Sequence, residues 1–587
     1  MAVIAYGGYR GQVLIIDGGA PRAFVVDPST PDSQGARPRI CDVPSAQAPL
    51  VGDLRMAAVA ADRDGNFVFA GGATATGSSA SKAFRIVISG MNFPPTFAAP
   101  PDWWNACLPG VVKGSPWQDV GDMSTPHSEP VLVTLCKGDL PAPAGLPGIP
   151  GSSQLVLGGS TTSGSSDGTE FWQALAPARA VPAGWRHSLV PNSGVVHTLP
   201  TPNETYVRQP PSNLPEVRLD SSPRSFQLAN VVGGSTFVKN ILVAFDMNTT
   251  LPAFAASNTA GSSWIVRLPY AGTVSQWEYW RGPSATIGVP RGDRLGGTAV
   301  LLHGQTVGPS TNGKNRVLAI GGAEELNNGS GAPNWATTSS VQEFRQNSDP
   351  AGGAWRTKTG PTPGRLWNSA VVLPDGKILI LGGARTVQPN LTVTQPEDVP
   401  ILYEPGTPGE QTGASATSMA AQPQDPTTGL PYPRLRGSMA TLLPDGRVFL
   451  FGGEPLSGYP DSRATGEIFS PPYLACGERP IIEDVLPTDF DFGAPFQVVV
   501  HHSASNPVIK IVLIRPGAVT NGFSADNRYI ELMFASTGMV GLQETFDVVA
   551  PADDLGPAGY YMLFVVQHTT TPGGCDVPSV AEFVRLK

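Results

Sequence analysis

A short motif recurs along this chain: an apolar run of strand length that ends at a pair of glycines. The six clear copies end at Gly19, Gly72, Gly159, Gly322, Gly383 and Gly453. A weaker seventh copy, KNILVAFD, occupies residues 239–246 and lacks the glycine pair. Several copies follow a second apolar run and an Asp-Gly pair, which is the turn chemistry that joins antiparallel strands. The repeat unit is therefore predicted to be a β-hairpin that ends at Gly-Gly.

Hairpins repeated between variable insertions are typical of a kelch-type β-propeller, because each four-stranded blade buries its faces only against its neighbours. Seven copies predict a seven-bladed propeller over residues 1–470. An irregular β-sandwich with coincidental glycine pairs is the alternative. After EIFSPPYL (467–474), about seven short strand-like runs follow at close spacing and predict an immunoglobulin-like sandwich over residues 471–587. The predicted fold class is all-β.

Composition narrows the function classes. The chain has 68 Gly and 60 Pro yet is 41% hydrophobic, which indicates a packed protein rich in turns. Its net charge is −9 without a Lys/Arg cluster, so nothing would neutralise a phosphate backbone and nucleic acid is excluded as a partner. We expect no membrane span, because no apolar run approaches the roughly 20 residues that a bilayer requires. The first residues also lack the pattern of a signal peptide.

Besides EIFSPPYL, four segments carry a more specific signal. They are GRLWNSAVVLPDGKILILGGAR (364–385), RLRGSMATLLPDGRVFLFGG (434–453), IRPGAVTNGFSADNRYIEL (514–532) and AGYYMLFVVQHTTTPGGCDVPSVAEFVRL (558–586). With them the chain resembles the galactose oxidase and glyoxal oxidase family of copper-radical oxidases. That resemblance implies a seven-bladed kelch propeller followed by an early-set immunoglobulin-like domain. It also implies a copper ion held by two His and one Tyr, and a second Tyr cross-linked to a Cys.

The residues of the radical cofactor are missing from the positions that the resemblance implies. The position of the cross-linked Cys, eight residues before Asp64, holds Met56. The second Tyr should lie near His127, but the chain contains no Tyr between Tyr9 and Tyr206. The thioether-modified phenol therefore cannot form here.

The copper ligands are replaced as well. The family's Tyr-His pair falls on Arg436 and Gly437, and the His of the C-terminal domain falls on Asn521. A guanidinium repels a cation, glycine has no side chain, and an amide oxygen is a weak ligand for Cu(II). No cofactor is therefore predicted, although the resemblance leads one to expect copper.

The same positions suggest a ligand pocket at the mouth of the propeller. Arg436, Asn521, Arg528 and His127 are predicted to converge there, and they suit a carboxylate, a sulfate or sugar hydroxyls. Trp367 occupies a strand entrance analogous to that of Arg436 and is the best aromatic candidate. The alternative is that Arg436 fills the emptied cavity and pairs with an acidic neighbour.

Five cysteines form no C-x-x-C or Cys/His cluster. Cys476 with Cys575, and Cys107 with Cys136, are candidate disulfides, and five buried thiols are the alternative. The adjacent His501 and His502 lie on a predicted strand, whose alternation points them to opposite faces and makes shared metal ligation awkward. No metal site is predicted from them.

The leading functional hypothesis is a non-catalytic relative of these oxidases, a pseudoenzyme that binds a carbohydrate, a surface polymer or a protein partner. A structural subunit of an extracellular coat or filament, formed by self-assembly, is one alternative. An oxidase with a relocated metal site, which would need His127, is another. We expect an extracellular or cell-surface location, although the chain shows no signal peptide.

Overall fold

The structure is a computed structural model of the 587-residue chain. The residues that it describes are 1–5, 10–17, 22–28, 39–43, 57–73, 83–86, 117–119, 128–136, 153–157, 160–161, 164–165, 170–173, 184–187, 195–198, 205–208, 224–229, 231–233, 236–238, 241–245, 263–267, 278–281, 295–304, 315–325, 335–346, 353–387, 393–406, 414–570 and 573–587.

Antiparallel sheets follow one another along residues 2–469. Their strands, with semicolons between hydrogen-bonded sheets, are Ala2–Val3, Val13–Asp17, Arg22–Asp27 and Arg39–Val43; Ala58–Ala61, Phe67–Ala70, Ala83–Ile86 and Trp117–Asp119; Val131–Thr134, Ser153–Leu157, Glu170–Gln173 and Gly184–His187; Val195–Thr198, Thr205–Arg208, Arg224–Leu228, Ile241–Phe245, Ser263–Arg267 and Glu278–Arg281; Thr298–His303, Arg316–Ile320, Val341–Gln346 and Gly353–Lys358; Ser369–Val372, Ile378–Leu381, Ile401–Glu404 and Ser415–Ser418; Met439–Leu442, Val448–Phe451 and Gly466–Phe469. Short ribbons pair Ser160–Thr161 with Gly164–Ser165, Val231–Gly233 with Thr236–Val238, Ala323–Glu325 with Trp335–Thr337, and Ala384–Val387 with Val393–Pro396.

One strand of each sheet lies at the inside of a ring. The inner strands that contact one another in succession are Ala58–Ala61, Val131–Thr134, Arg224–Leu228, Thr298–His303, Ser369–Val372 and Met439–Leu442. The first sheet closes the ring, because Val13 packs in one core with Leu442 while Leu14 packs with Val59 in another. This is the all-β propeller expected from the repeats. The seven-blade count stays a prediction, since one sheet has six strands and the last has three.

The repeated hairpins have a local cause. Asp375-Gly376 and Asp445-Gly446 form tight turns in which both glycines have positive φ, at 90° and 87°. At the other end of its hairpin Gly383 has φ of 88°, and a Cβ there would lie 2.7 Å from the carbonyl oxygen of Leu366. Only glycine accepts both the left-handed backbone and this close approach. The second glycine therefore packs against the entrance of its own inner strand, whereas the first, Gly382, packs against Arg434 at the strand entrance of the next sheet.

The C-terminal part is a two-sheet sandwich. It opens with a 3-10 helix, Pro472–Ala475. One sheet contains Ile481–Leu486, Pro495–His501, Gln543–Val549 and Phe534–Val540; the other contains Arg528–Glu531, Val508–Ile514, Gly559–His568, Glu582–Leu586, Asp489–Phe490 and Asp576–Pro578. Buried and exposed residues alternate along Pro495–His501, as expected for a strand with one face on a core. The predicted domain boundary at residue 471 stays a prediction.

The two parts of the chain are joined through the propeller hub. Arg528–Glu531 pairs in parallel with the inner strand Thr298–His303, so a propeller sheet continues into the sandwich. The preceding segment, residues 515–527, bonds to several inner strands: Thr520 Oγ1 donates to Ala57 O at 2.9 Å, Thr134 Oγ1 to Asp526 Oδ2 at 2.7 Å, and Thr298 Oγ1 to Gly522 O at 2.9 Å. The hub is thus filled by a segment of the C-terminal part.

Cysteine placement differs in part from expectation. A disulfide joins Cys476 and Cys575, which is one of the two predicted pairs. Cys136 is a buried free thiol, so the predicted bond to Cys107 is not formed; Cys107 itself lies outside the described residues. The thiol belongs to the hub, where burial raises its pKa to about 11 and the Arg528 guanidinium partly opposes that shift. In the described part of the chain, no helix is long and apolar enough to cross a membrane.

Candidate functional site

The entrances of the inner strands surround an open pocket at one end of the hub. The space between its walls is about 410 Å³, a volume that includes open solvent. Its lining residues lie just before or at the start of inner strands, or at the tip of the hub segment, and are Glu129, Arg224, Gly296, Trp367, Leu435, Arg436, Gly437, Ser438, Asn521 and Gly522. Residues more than 300 positions apart in sequence therefore share one cavity.

In the segment Arg434-Leu435-Arg436-Gly437, the first arginine stabilises the fold and the second faces the pocket. Arg434 is fully buried, and its Nη1 donates to the carbonyl oxygen of Gly452 at 2.9 Å. Its Nη2 lies 2.7 Å from Glu467 Oε1. Leu435 packs in the apolar cluster behind the pocket. Arg434 therefore holds the Gly-Gly end of its own hairpin, and Arg436 is left to face the cavity.

Arg436 lies between two carboxylates. Its Nη2 donates to the Glu129 carboxylate, whose side chain is 9% exposed. Its Nη1 lies 4.0 Å from Glu454 Oε1, and the Glu454 side chain is 45% exposed. Burial raises the pKa of the Glu454 carboxyl, while Arg436 acts in the opposite direction. The pairing with Glu129 agrees with the alternative that Arg436 takes an acidic neighbour.

Three pocket residues hold a backbone conformation that side chains disfavour. Glu129, Trp367 and Asn521 have φ of 57°, 59° and 48°, and in the described residues only Asn315 joins them as a non-glycine with positive φ. The Trp367 indole lies against Gly296, where a Cβ would come within 2.4 Å of Cδ1. Residues in this region of φ persist where the surroundings determine them, and they concentrate at ligand sites. The surroundings therefore hold the backbone of these three pocket residues in an unusual conformation.

Two polar residues of the pocket lining, Arg224 and Ser438, differ in the hydrogen bonds that their side chains form. Arg224 is buried and donates through Nε and Nη2 to Gly297 O at 3.1 and 2.8 Å, with its guanidinium over the Phe523 ring. The hydroxyl of Ser438 is different, because it is buried without a hydrogen-bond partner. A buried unpaired hydroxyl is costly unless water or a ligand satisfies it. The lining thus includes a residue whose buried hydroxyl makes no hydrogen bond.

The structure brings four of the predicted site residues together in the pocket and places a fifth, Arg528, outside it. It brings Arg436, Gly437, Asn521 and Trp367 together in the pocket lining. Arg528 lies outside that lining: it is buried deeper in the hub, where Nη1 donates to the carbonyl oxygens of Gln227 and Leu555. Met56 and His127 fall outside the described residues.

The donor groups that the described residues bring to the pocket do not fit a copper ion. Cu(II) in proteins favours imidazole, thiolate or phenolate donors. The described lining offers one carboxylate that is already paired, one amide and one hydroxyl, beside two guanidinium groups. Across the described ranges, His, Cys, Asp and Glu also form no group of three that could hold a metal ion. The histidines of the sandwich are engaged separately: His502 Nε2 lies 2.7 Å from Glu544, and His501 Nδ1 lies 3.4 Å from Glu483.

Sequence reasoning missed three residues of the pocket lining, Glu129, Arg224 and Ser438, and it missed Glu454, which lies beside Arg436 outside that lining. Ser438 could have been found, because it directly follows the Arg-Leu-Arg-Gly segment. Glu129 lies two residues after His127 but is 307 residues from Arg436 in sequence, and no local pattern joins them. Arg224 and Glu454 carry no motif of their own.

Comparisons with known proteins agree with the fold. Residues 479–586 match the family model described as galactose oxidase-like, Early set domain. A fungal alcohol oxidase of the AA5 family, solved in complex with copper, superimposes with a TM-score of 0.59 at 18% identity, covering 98% of each chain. At that identity the likeness concerns the fold.

Curated relatives match a shorter region. The aldehyde oxidase GLOX1 of Arabidopsis thaliana is 30% identical over 257 residues, which is 41% of this chain and 39% of that protein. The galactose oxidase of Gibberella zeae is 31% identical over 228 residues, or 38% of this chain and 29% of that protein. The matched region thus spans about two fifths or less of these relatives.

Proposed function

From the premise that residues 479–586 form a galactose oxidase-like early set domain, we propose that the chain is a ligand-binding protein that works without the copper-radical cofactor. Its site is the pocket at the propeller hub. Its ligand is a carbohydrate, alone or as part of a surface polymer. The relatives are named oxidases, and in this proposal their chemistry does not extend to this chain.

One observation carries the proposal: Arg436, which would repel a metal cation, lies in the pocket and pairs with Glu129. The remaining lining suits a sugar. Trp367 presents an indole held by its own backbone and by Gly296, and aromatic faces pack against the apolar faces of sugar rings. Asn521 and Ser438 also line the pocket and have side chains that can form hydrogen bonds. Small-ligand pockets are typically concave and partly apolar, and a few polar groups in them orient the ligand.

An extracellular or cell-surface location belongs to the same proposal. The Cys476–Cys575 disulfide supports it, since structural disulfides persist in oxidising compartments. A protein partner and self-assembly into a coat or filament stay predictions, and a size measurement in solution tests the second.

Two measurements on the full chain test the proposal. The first is metal analysis after purification with copper supplied, combined with an oxidase assay on aldehydes and alcohols. We expect no stoichiometric copper and no peroxide; turnover with one bound copper would refute the proposal and favour the relocated-site oxidase.

The second is a glycan array repeated with Trp367→Ala and Arg436→Ala. Both variants should lose the signal of the unmodified chain. Arg463→Ala is the matched control, because Arg463 pairs with Asp461 at 2.6 Å on an exposed surface outside the pocket. Retained binding in the pocket variants would place the carbohydrate site elsewhere, and a blank array would count against carbohydrate binding altogether.

A further inference from the structure

We propose that two copies of this chain form a closed dimer through one edge strand of the sandwich, Phe534–Val540. The strand pairs in antiparallel orientation with the same strand of the second copy, across a two-fold axis near Thr537. This contact lies on the sandwich, outside the lining of the pocket, and is independent of the proposed binding function. The reason lies in the two edges of the four-stranded sheet, which differ in their protection.

Phe534–Val540 is the outermost strand at one edge of its sheet. It pairs on one side only, with Gln543–Val549, and five of its seven residues are exposed. Within the described part of the chain, no other backbone segment is hydrogen-bonded to this strand. An exposed row of unpaired N–H and C=O groups is a template for the addition of another strand.

The opposite edge of the same sheet carries the features that keep edge strands from pairing. Strand Ile481–Leu486 contains two exposed carboxylates, Glu483 and Asp484, and Pro487 follows it directly. Charges, prolines and bulges at an edge all discourage association. Both edge strands have a shift in their pairing register, but Phe534–Val540 contains neither a charge nor a proline.

A second copy of the same strand is the partner that this edge fits by charge. Residues 532–543 contain no Asp, Glu, Lys, Arg or His, so antiparallel pairing with an identical strand places no like charges opposite each other. At the opposite edge, Glu483 and Asp484 would meet their own copies. The net charge of −9 makes two chains repel at long range, which favours a contact at an uncharged segment.

The two ends of the strand also match each other. Met533 precedes the strand and is 41% exposed, while Val540 and Leu542 at the other end are 82% and 50% exposed. Antiparallel pairing brings the Met533 end of one copy beside the Val540 end of the other. Exposed apolar side chains at both ends are thereby removed from water, which favours association.

The symmetry of this contact fixes the size of the assembly. Because both copies use the same strand, the contact is isologous and is complete after two chains. Two four-stranded sheets then form one continuous sheet across the dimer. A contact through one strand is small, so the dimer should dissociate on dilution. A filament needs two different surfaces and is not expected from this edge.

Sedimentation velocity on the full chain over a concentration series tests the proposal. The unmodified chain should change from one-chain to two-chain mass as its concentration rises. Thr537→Lys and Thr537→Glu place like charges opposite each other at the axis, and each should raise the dissociation constant about fivefold. An equimolar mixture of the two variants should regain the dimer, because opposite charges then meet. The matched control is Thr417→Lys, which adds the same charge to the exposed, uncharged propeller edge strand Ser415–Ser418 and should change nothing.

Four results would overturn the proposal. One-chain mass at every concentration would show that the edge does not pair. A dimer that both Thr537 variants leave unchanged would place the contact elsewhere. Failure of the mixture to regain the dimer would show that the two copies of Thr537 do not face each other. Species that grow beyond two chains would exclude a closed dimer and favour the coat or filament.

Discussion

Substituting the two arginines of Arg434-Leu435-Arg436 one at a time should separate stability from binding. Arg434→Met removes a fully buried guanidinium that bonds to Glu467 and to the carbonyl oxygens of Gly452 and Thr465. Arg436→Met removes a guanidinium from a side chain that is 37% exposed and faces the pocket. The two positions are two residues apart, so composition and local context are closely matched.

The degree of burial of each arginine and its partner sets the expected loss of stability. Removing one partner of a buried ion pair costs about 3–5 kcal/mol, because the other charge is left without compensation. The side chain of Glu467 is 11% exposed, and burial already raises the pKa of its carboxyl, so this range applies to Arg434→Met. Solvent screens Arg436 much more, and its loss should cost about 1 kcal/mol or less. The double variant Arg434→Met, Glu467→Met should recover part of the stability.

Urea denaturation followed by tryptophan fluorescence measures the free energy of unfolding. The glycan array measures ligand binding. Arg434→Met should move the unfolding midpoint clearly lower, while any folded fraction binds ligand normally. Arg436→Met should leave the midpoint close to that of the unmodified chain and abolish binding. Equal midpoints for the two variants, or binding lost only with Arg434→Met, would show that the division of roles is wrong.

Three further predictions concern stability. Reducing the Cys476–Cys575 disulfide, or replacing Cys575 by Ser, should destabilise the sandwich by roughly 2–5 kcal/mol, because the bond closes a long loop; calorimetry with and without reductant checks it, and unchanged unfolding would contradict it. Burial raises the pKa of Asp375 from 3.8 to about 6, so the folded state binds the proton more tightly and stability falls as pH rises between these values. Asp375→Asn should therefore stabilise the protein by about 2–3 kcal/mol at neutral pH, with no gain below about pH 4; a gain that is independent of pH would refute this cause. Gly383→Ala should lower the unfolding midpoint, since its Cβ would clash with Leu366 O at a φ of 88°; an unchanged midpoint would mean that the backbone relaxes there at little cost.

Much of the fold could be predicted because its signals are local. An Asp-Gly turn and a Gly-Gly end act within a single hairpin, so each copy can be recognised from about twenty residues. The sandwich is similar, because alternation along a strand such as Pro495–His501 needs only the strand itself. The positions of Arg436, Gly437 and Asn521 could be anticipated through the family resemblance, and that of Trp367 from its analogous strand entrance.

The pocket chemistry depends instead on contacts between distant segments. Glu129 reaches Arg436 across 307 residues, and Asn521 arrives from the C-terminal part through the hub. Arg528 belongs to the same hub segment as Asn521, yet its side chain turns to Gln227 and away from the cavity. Local residue patterns therefore establish the hairpins and their repetition, whereas only closure of the ring around the hub segment decides which charges meet, because electrostatic pairing depends on distance in space and not on spacing along the chain.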